Sequence, residues 1–233
     1  MAHSLHLIPD ITGSAAQHMA FDALLLQRYE PKDAIRLRHY EWNRTAYTFG
    51  LSQHYSYITS EVPDLSAEIV RRPTGGGLVD HTNDWTYTLV IPSTHPFAKG
   101  QPVDSYRAVH QCIIDAMEKQ DLQCELNLSA PDTITPSVCF NKAELYDVIL
   151  KDLPSKLAGA AQKRTKNGYM LQGSIWKPLA SKVSWEQFYN DFSMGLATLL
   201  DAEIEYVSAP SWRPEEEVAL TDQFDSEEWN QRR

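Results

Sequence analysis

The sequence predicts an α/β (α+β) fold, a mixed and largely antiparallel sheet packed with helices, in one domain spanning residues 1–233. Three observations predict it. Short runs that alternate apolar and polar residues read as strands, and tight loops between them favour antiparallel neighbours. Helical stretches fall among them irregularly, without the strict strand–helix alternation of a doubly wound parallel sheet. No internal repeat or low-complexity linker divides the chain.

In chain order, Ala16, Met19, Ala20, Ala23 and Leu24 follow helical spacing behind Ser14, a candidate N-cap. Residues 35–40 alternate, with Ile35 and Leu37 against Arg36 and Arg38, and read as a strand with one face in water. Residues 47–51 form a second short strand, and Ile69-Val70 leads into paired arginines. Trp85, Tyr87, Leu89 and Ile91 alternate with threonines in a strand ended by Pro92. Residues 104–120 read as a helix with Tyr106, Val109, Ile113 and Met117 on one face. Strands follow near 124–128, 146–150, 157–162 and 170–176. Ser184 and Gln187 form a capping-box pair opening a helix that buries Trp185, Phe188, Phe192, Leu196 and Leu199. The acidic end, Glu215-Glu216-Glu217 and residues 225–228, reads as a solvated tail or surface helix.

Composition narrows the class. Net charge is −10, which disfavours a broad nucleic-acid surface, since that needs clustered Lys and Arg. No run approaches the ~20 apolar residues of a membrane span, and the start does not read as a secretory signal. Cys112, Cys124 and Cys139 lack CxxC spacing, so neither a disulfide framework nor a metal site is expected. The expectation is a cytoplasmic protein with reduced thiols.

The most informative stretch is Arg71-Arg72-Pro73-Thr74-Gly75-Gly76-Gly77-Leu78-Val79-Asp80-His81. Three glycines between two strands let the backbone approach a ligand and adopt positive φ. Their N–H groups can form a nest for an anion or a carbonyl oxygen, with Arg71 and Arg72 adding charge beside it. No Gly-Lys-Ser/Thr follows, so this is not a Walker loop, and G-x-G-x-x-G is absent.

This segment, with Asp84 and Tyr87 on the strand that follows, resembles the signature of the lipoate–protein ligase and octanoyltransferase family. Upstream, Met19-Ala20-Phe21-Asp22, Trp42 and Phe49-Gly50-Leu51-Ser52-Gln53 resemble that family's N-terminal pattern. Downstream, Lys156-Leu157-Ala158-Gly159-Ala160-Ala161-Gln162 resembles its lysine motif, and Leu171-Gln172-Gly173-Ser174-Ile175 the strand after it. The resemblance covers residues 14–180 and implies the sheet-and-helix core shared with biotin ligases and class II aminoacyl-tRNA synthetases. It implies substrate contacts from Arg71, Arg72, Thr74, Gly75, Gly76, Gly77, His81, Tyr87, Gly159, Ala160, Gln172 and Gly173.

It also implies that a buried Lys156 binds the carbonyl of an activated acyl group and stabilises the developing oxyanion. The Cys139-Phe140 placement is similar to that of the cysteine-dependent octanoyltransferases. There a thiolate takes the acyl group from octanoyl-acyl carrier protein as a thioester, and a carrier lysine then attacks it. The expected acceptor is a lipoyl domain or glycine-cleavage H protein. No permanently bound cofactor, nucleic acid or membrane is expected. The alternatives are an ATP-dependent ligase, using lipoate, ATP and Mg²⁺ through lipoyl-AMP, and a non-catalytic module that binds lipoyl carriers. A biotin ligase has a different glycine–arginine loop. The long bacterial ligases carry a C-terminal accessory domain, and none is expected here. Lys163, Arg164 and Lys166 are expected to meet an acidic carrier.

Overall fold

The computed structural model describes residues 3–129, 143–153 and 155–233. Its elements run β1 (His3–Gly13), α1 (Ala15–Gln27), β2 (Ile35–Trp42), β3 (Ala46–Phe49), α2 (Tyr55–Glu61), β4 (Glu68–Arg71), β5 (Leu78–Asp80) and β6 (Asp84–Pro92). They continue with α3 (Pro102–Glu118), β7 (Cys124–Leu126), β8 (Val148–Leu150), β9 (Lys156–Thr165), β10 (Gly168–Trp176), α4 (Trp185–Leu199), β11 (Ala202–Tyr206), α5 (Pro214–Asp225) and α6 (Glu227–Asn230).

An eight-stranded sheet has the order β11-β1-β2-β6-β10-β9-β8-β7. β1 runs parallel to β11 and to β2, and every other pairing in this sheet is antiparallel. The fold is therefore the mixed, largely antiparallel one that the sequence predicts. A second sheet of three strands, β4-β3-β5, carries the arginine–glycine segment between β4 and β5.

Alternation along the strands sorts the two faces of the large sheet. Ile35 and Leu37 of β2, Tyr87 and Leu89 of β6, and Leu171 and Ile175 of β10 pack against Val109, Ile113 and Met117 of α3 and Phe188, Phe192 and Leu196 of α4. Trp85 anchors this layer among rings, stacking on His39 and Trp185 and meeting Phe188 edge-on. Trp185 and Leu199 are only half-buried, at the margins of α4.

The opposite face lies under α1, and here one expectation is corrected. Arg36 and Arg38 are not in water but buried: Arg38 meets Asp22 and His18 of α1, and Arg36 donates to the Pro31 and Lys32 carbonyls in the segment after α1. Arg38 Nε donates to Asp22 Oδ1 of α1 at 2.7 Å, and its guanidinium lies over the rings of Phe21 and Tyr40. A buried charge is tolerated only with such partners. Ser14 and Gln17 close a capping box at the start of α1. The acidic end forms α5 with Glu215, Glu216 and Glu217 in its first turn, but it is more than a solvated element. Phe224 is buried against Met19, Ala20 and Val70.

Candidate active site

The face under α1 supplies the floor of a cavity of about 100 Å³. Tyr40 and Trp42 come from β2, Thr86 from β6, Gln172, Gly173 and Ser174 from β10, and Lys156, Gly159, Ala160 and Ala161 from β9. Met19, Thr48, Arg72, Gly76, Gly77, Val79 and His81 close it from the helix and the small sheet, with Glu144 and Asp147 at one end.

The glycine loop is shaped from beneath by Arg72. Its Nη2 donates to the carbonyls of Gly75 at 2.6 Å and Gly77 at 2.9 Å, and Nη1 to that of Thr48 at 3.0 Å. Gly76 sits at φ 87°, in the left-handed region that only glycine adopts at little cost. Gly50 lets the next segment cross the loop: a Cβ there would lie 2.2 Å from the Gly76 carbonyl oxygen.

Two polar chains hold the walls. Gln172 Nε2 and Thr88 Oγ1 each donate to Asp22 Oδ2 at 2.7 Å, and Thr74 Oγ1 donates to Gln172 Oε1 at 2.9 Å. In the second chain, Asp84 Oδ2 accepts from His81 Nδ1 at 2.8 Å, from Thr86 Oγ1 at 2.8 Å, and from Ser174 Oγ. His81 Nε2 lies 2.8 Å from Thr48 Oγ1. Burial alone would raise the Asp84 carboxyl, but His81 and the hydroxyl donors hold it below the ordinary carboxylate range. Trp42 stacks on His81 at 4.1 Å and donates to Thr86 Oγ1 at 2.9 Å.

At the Glu144–Asp147 end, Lys156 Nζ meets Asp147 Oδ2 at 2.8 Å, and both side chains are buried. Asp147 Oδ2 also accepts from the Glu144 backbone N–H at 2.7 Å. Tyr146, just before it, takes φ 66°, a left-handed conformation that costs a side-chain-bearing residue roughly 1–2 kcal/mol. A paired, buried ammonium at the edge of a cavity can donate to a carbonyl oxygen and to the oxyanion formed on attack.

The structure thus brings Arg72, Gly76, Gly77, His81, Lys156, Gly159, Ala160, Gln172 and Gly173 to one cavity. Four expected contacts are placed elsewhere. Arg71 is stitched to the C-terminal segment, donating to the Asn230 carbonyl at 2.8 Å and to those of Leu51 and Gln53 at 3.0 and 2.8 Å. Thr74 holds Gln172 from outside the cavity wall, and Gly75 serves through its carbonyl on Arg72. Tyr87 points to the α3 and α4 face, under Gly173, where burial pushes its hydroxyl upward. Arg164 lies at the surface, where it donates to the Ala98 carbonyl at 2.9 Å and to Ser105 Oγ at 3.2 Å; Lys166 is exposed and Lys163 half-buried. Cys112 and Cys124 are buried and pushed up to about 12, as structural thiols are. Cys139 lies outside the described residues.

Asp147, Thr48 and Ser174 escape the sequence reading. Asp147 carries a faint signal, an acid nine positions before a lysine with a strand turn between, but only the fold pairs the two.

A cavity on the sheet, roofed by a glycine loop and ending at a paired lysine, defines the class of the site. Residues 14–179 match the lipoyl protein ligase A/B catalytic domain, and the chain belongs to that family. Octanoyltransferase LipM of Carboxydothermus hydrogenoformans is 30% identical over 162 residues, covering 68% of this chain and 59% of that protein. LipM of Kyrpidia tusciae is 30% identical over 176 residues, covering 70% and 62%. These matches span less than two thirds of either relative's length. Among solved structures, lipoate-protein ligase A bound with ATP superposes with a TM-score of 0.72 at 18% identity, covering 99% of both chains. A bi-partite lipoate protein ligase from Thermoplasma acidophilum gives 0.70 at 18% identity, covering 99% and 97%. At these identities the structures establish the fold. Among the described residues, no helix is long and apolar enough to cross a membrane.

Proposed function

We propose that this protein transfers an octanoyl group from octanoyl-acyl carrier protein to a lysine of a lipoyl domain or glycine-cleavage H protein. The observation that carries the reading is the buried Lys156–Asp147 pair at the end of the glycine-roofed cavity. The names of the relatives at 30% identity support octanoyl as the group carried.

Cys139 serves as nucleophile in this reading. Its thiolate attacks the donor thioester carbonyl, and the carrier's thiolate leaves, giving an octanoyl thioester on Cys139. The acceptor amine then attacks that carbonyl. Its proton passes to solvent, the Cys139 thiolate leaves, and an amide remains. In both steps Lys156 donates to the carbonyl oxygen as negative charge gathers there. Tyr40, Trp42, Met19 and Val79 give the acyl tail an apolar bed. Thiol chemistry of this kind suits the reducing cytoplasm.

The test is intact mass after mixing with octanoyl-acyl carrier protein in the absence of ATP, for the wild type and Cys139→Ala. The expected result is a gain of one octanoyl group, lost on adding a lipoyl domain and absent from the variant. Lipoyl-domain modification that needs ATP and survives Cys139→Ala overturns the reading in favour of a ligase.

A further inference from the structure

We propose that His110 and Asn127 are positioning residues for Lys156, acting through Asp147. This rests on the reading of Lys156 as the group that stabilises the oxyanion.

The two partners of the buried pair come from different segments. Lys156 opens β9, whereas Asp147 closes a turn, its N–H donating to the Glu144 carbonyl at 3.0 Å. That turn is held from outside. His110, buried on α3, donates from Nδ1 to the Tyr146 carbonyl at 2.6 Å. A carbonyl only accepts, so the proton sits on Nδ1. Burial lowers the imidazole's proton affinity, against the opposing pull of Asp147, and keeps the ring neutral with that proton fixed. The carbonyl it holds belongs to Tyr146, the residue at φ 66°, which aims the next side chain at Lys156.

Asn127, just past β7, holds the same turn from the other side. Its N–H donates to the Asp147 carbonyl at 2.8 Å, and its carbonyl accepts from Tyr146 N–H at 2.7 Å. Its side-chain amide faces the carbonyls of Ala143 at 3.1 Å and Glu144 at 3.0 Å. His110 thus holds the Tyr146 carbonyl through its side chain, Asn127 holds Tyr146 N–H and the Asp147 carbonyl through its backbone and the start of the turn through its amide, and neither residue lines the cavity.

Gly159 leaves the pair its room. A Cβ on Gly159 would lie 2.5 Å from Lys156 Cε, 2.7 Å from Nζ and 2.8 Å from Asp147 Oδ1. An ammonium stabilises an oxyanion only when held within about 0.5 Å of the productive position. A turn released by loss of either grip moves the carboxylate, and the ammonium follows it. Among the described residues, the other titratable groups around the pair include Glu144 on the turn, Tyr106 on α3 and Tyr87 on β6.

The experiment uses the full chain with octanoyl-acyl carrier protein and a lipoyl domain, after wild-type transfer has been recorded. His110→Ala should lower kcat by about tenfold to a hundredfold while KM for the donor stays close to wild type; Asn127→Ala, which keeps the backbone bonds and loses the amide's bonds to the Ala143 and Glu144 carbonyls, should lower kcat in the same direction by less. His110→Asn, whose amide can donate to the Tyr146 carbonyl, should recover most of the loss. The alkaline limb of kcat should move to lower pH in both alanine variants, because a buried ammonium with a displaced counter-charge loses its proton more readily. Wild-type kcat in folded variants overturns the proposal, and so does a fall in kcat with an unmoved limb. If an alanine variant does not fold, the isosteric Asp147→Asn must show the same limb shift, and an unmoved limb there overturns the proposal. A wild type that transfers nothing overturns instead the function on which this rests.

Discussion

Gly159 and Gly173 both line the cavity, yet each is a glycine for its own reason. At Gly159 an added Cβ meets the far end of the Lys156 side chain and the Asp147 carboxylate, atoms that can shift. At Gly173 it would lie 2.2–2.5 Å from the Tyr87 ring and hydroxyl, which are locked in the core. Gly159→Ala should therefore abolish most acyl transfer while moving the thermal midpoint little. Gly173→Ala should lose about 1–3 kcal/mol of stability through overpacking. Paired transfer assays and urea melts check both, and equal stability losses would remove the distinction. The residue types explain what was legible here. Three glycines, Arg72, His81 and the Lys156 segment carry their signal in identity and spacing. Tyr87 does not, because a tyrosine on an alternating strand can face either way, and only the register with Gly173 places it away from the cavity. Asp147 is as ordinary in sequence as any acid before a strand, and a left-handed Tyr146 is what turns it toward Lys156.

Among the elements, α6 ties the acidic C-terminal segment to the strand that leads into the glycine loop. Asn230 Oδ1 accepts from the Arg71 N–H at 2.7 Å, its amide donates to the Phe224 and Ser226 carbonyls, and its own carbonyl receives the Arg71 guanidinium. Trp229 Nε1 adds a bond to the Arg71 carbonyl at 2.7 Å. Asn230→Ala leaves the buried Arg71 N–H and the Phe224 and Ser226 carbonyls without this partner, which costs about 1–3 kcal/mol. Urea unfolding should show that loss, together with faster hydrogen exchange in β4 and the glycine loop. A neutral effect would mean that α6 only rests on the small sheet. The sequence hides this role because Glu-rich periodicity dominates the segment, and one asparagine among acids carries no pattern. β1 and β11 escape for other reasons. β1 alternates only from Ser4 to Leu7 before it is buried through Ile8 and bulges between Ile8 and Ile11, and β11 alternates over just five residues at the sheet edge. By contrast β6 and β10 alternate cleanly between core and cavity, and their reading survives.

Across the whole molecule, burial lowers five histidines that sit on both sides of the large sheet. His18 is the clearest: burial, then the nearby Arg38 cation, push it down to about 3 from 6.5, while Nε2 donates to the Glu41 carbonyl at 2.9 Å. His6, His39, His95 and His110 are lowered as well, each mainly by burial. In the unfolded chain these rings take up protons near their ordinary value. The folded state thus keeps its full His18 contribution above pH 6.5 and loses it as pH falls from 6.5 towards 3. Asp84, whose carboxyl is lowered, adds to this only below its ordinary 3.8. The slope for one such group is about 1.4 kcal/mol per pH unit. Stability by urea denaturation should therefore fall between pH 6.5 and 5 in the wild type, and less steeply in His18→Gln, whose amide can still donate to the Glu41 carbonyl. The variant starts lower at neutral pH and closes the gap as the medium acidifies. Parallel curves would place the acid sensitivity in the other histidines and leave His18 as a packing residue between Tyr40 and Trp42.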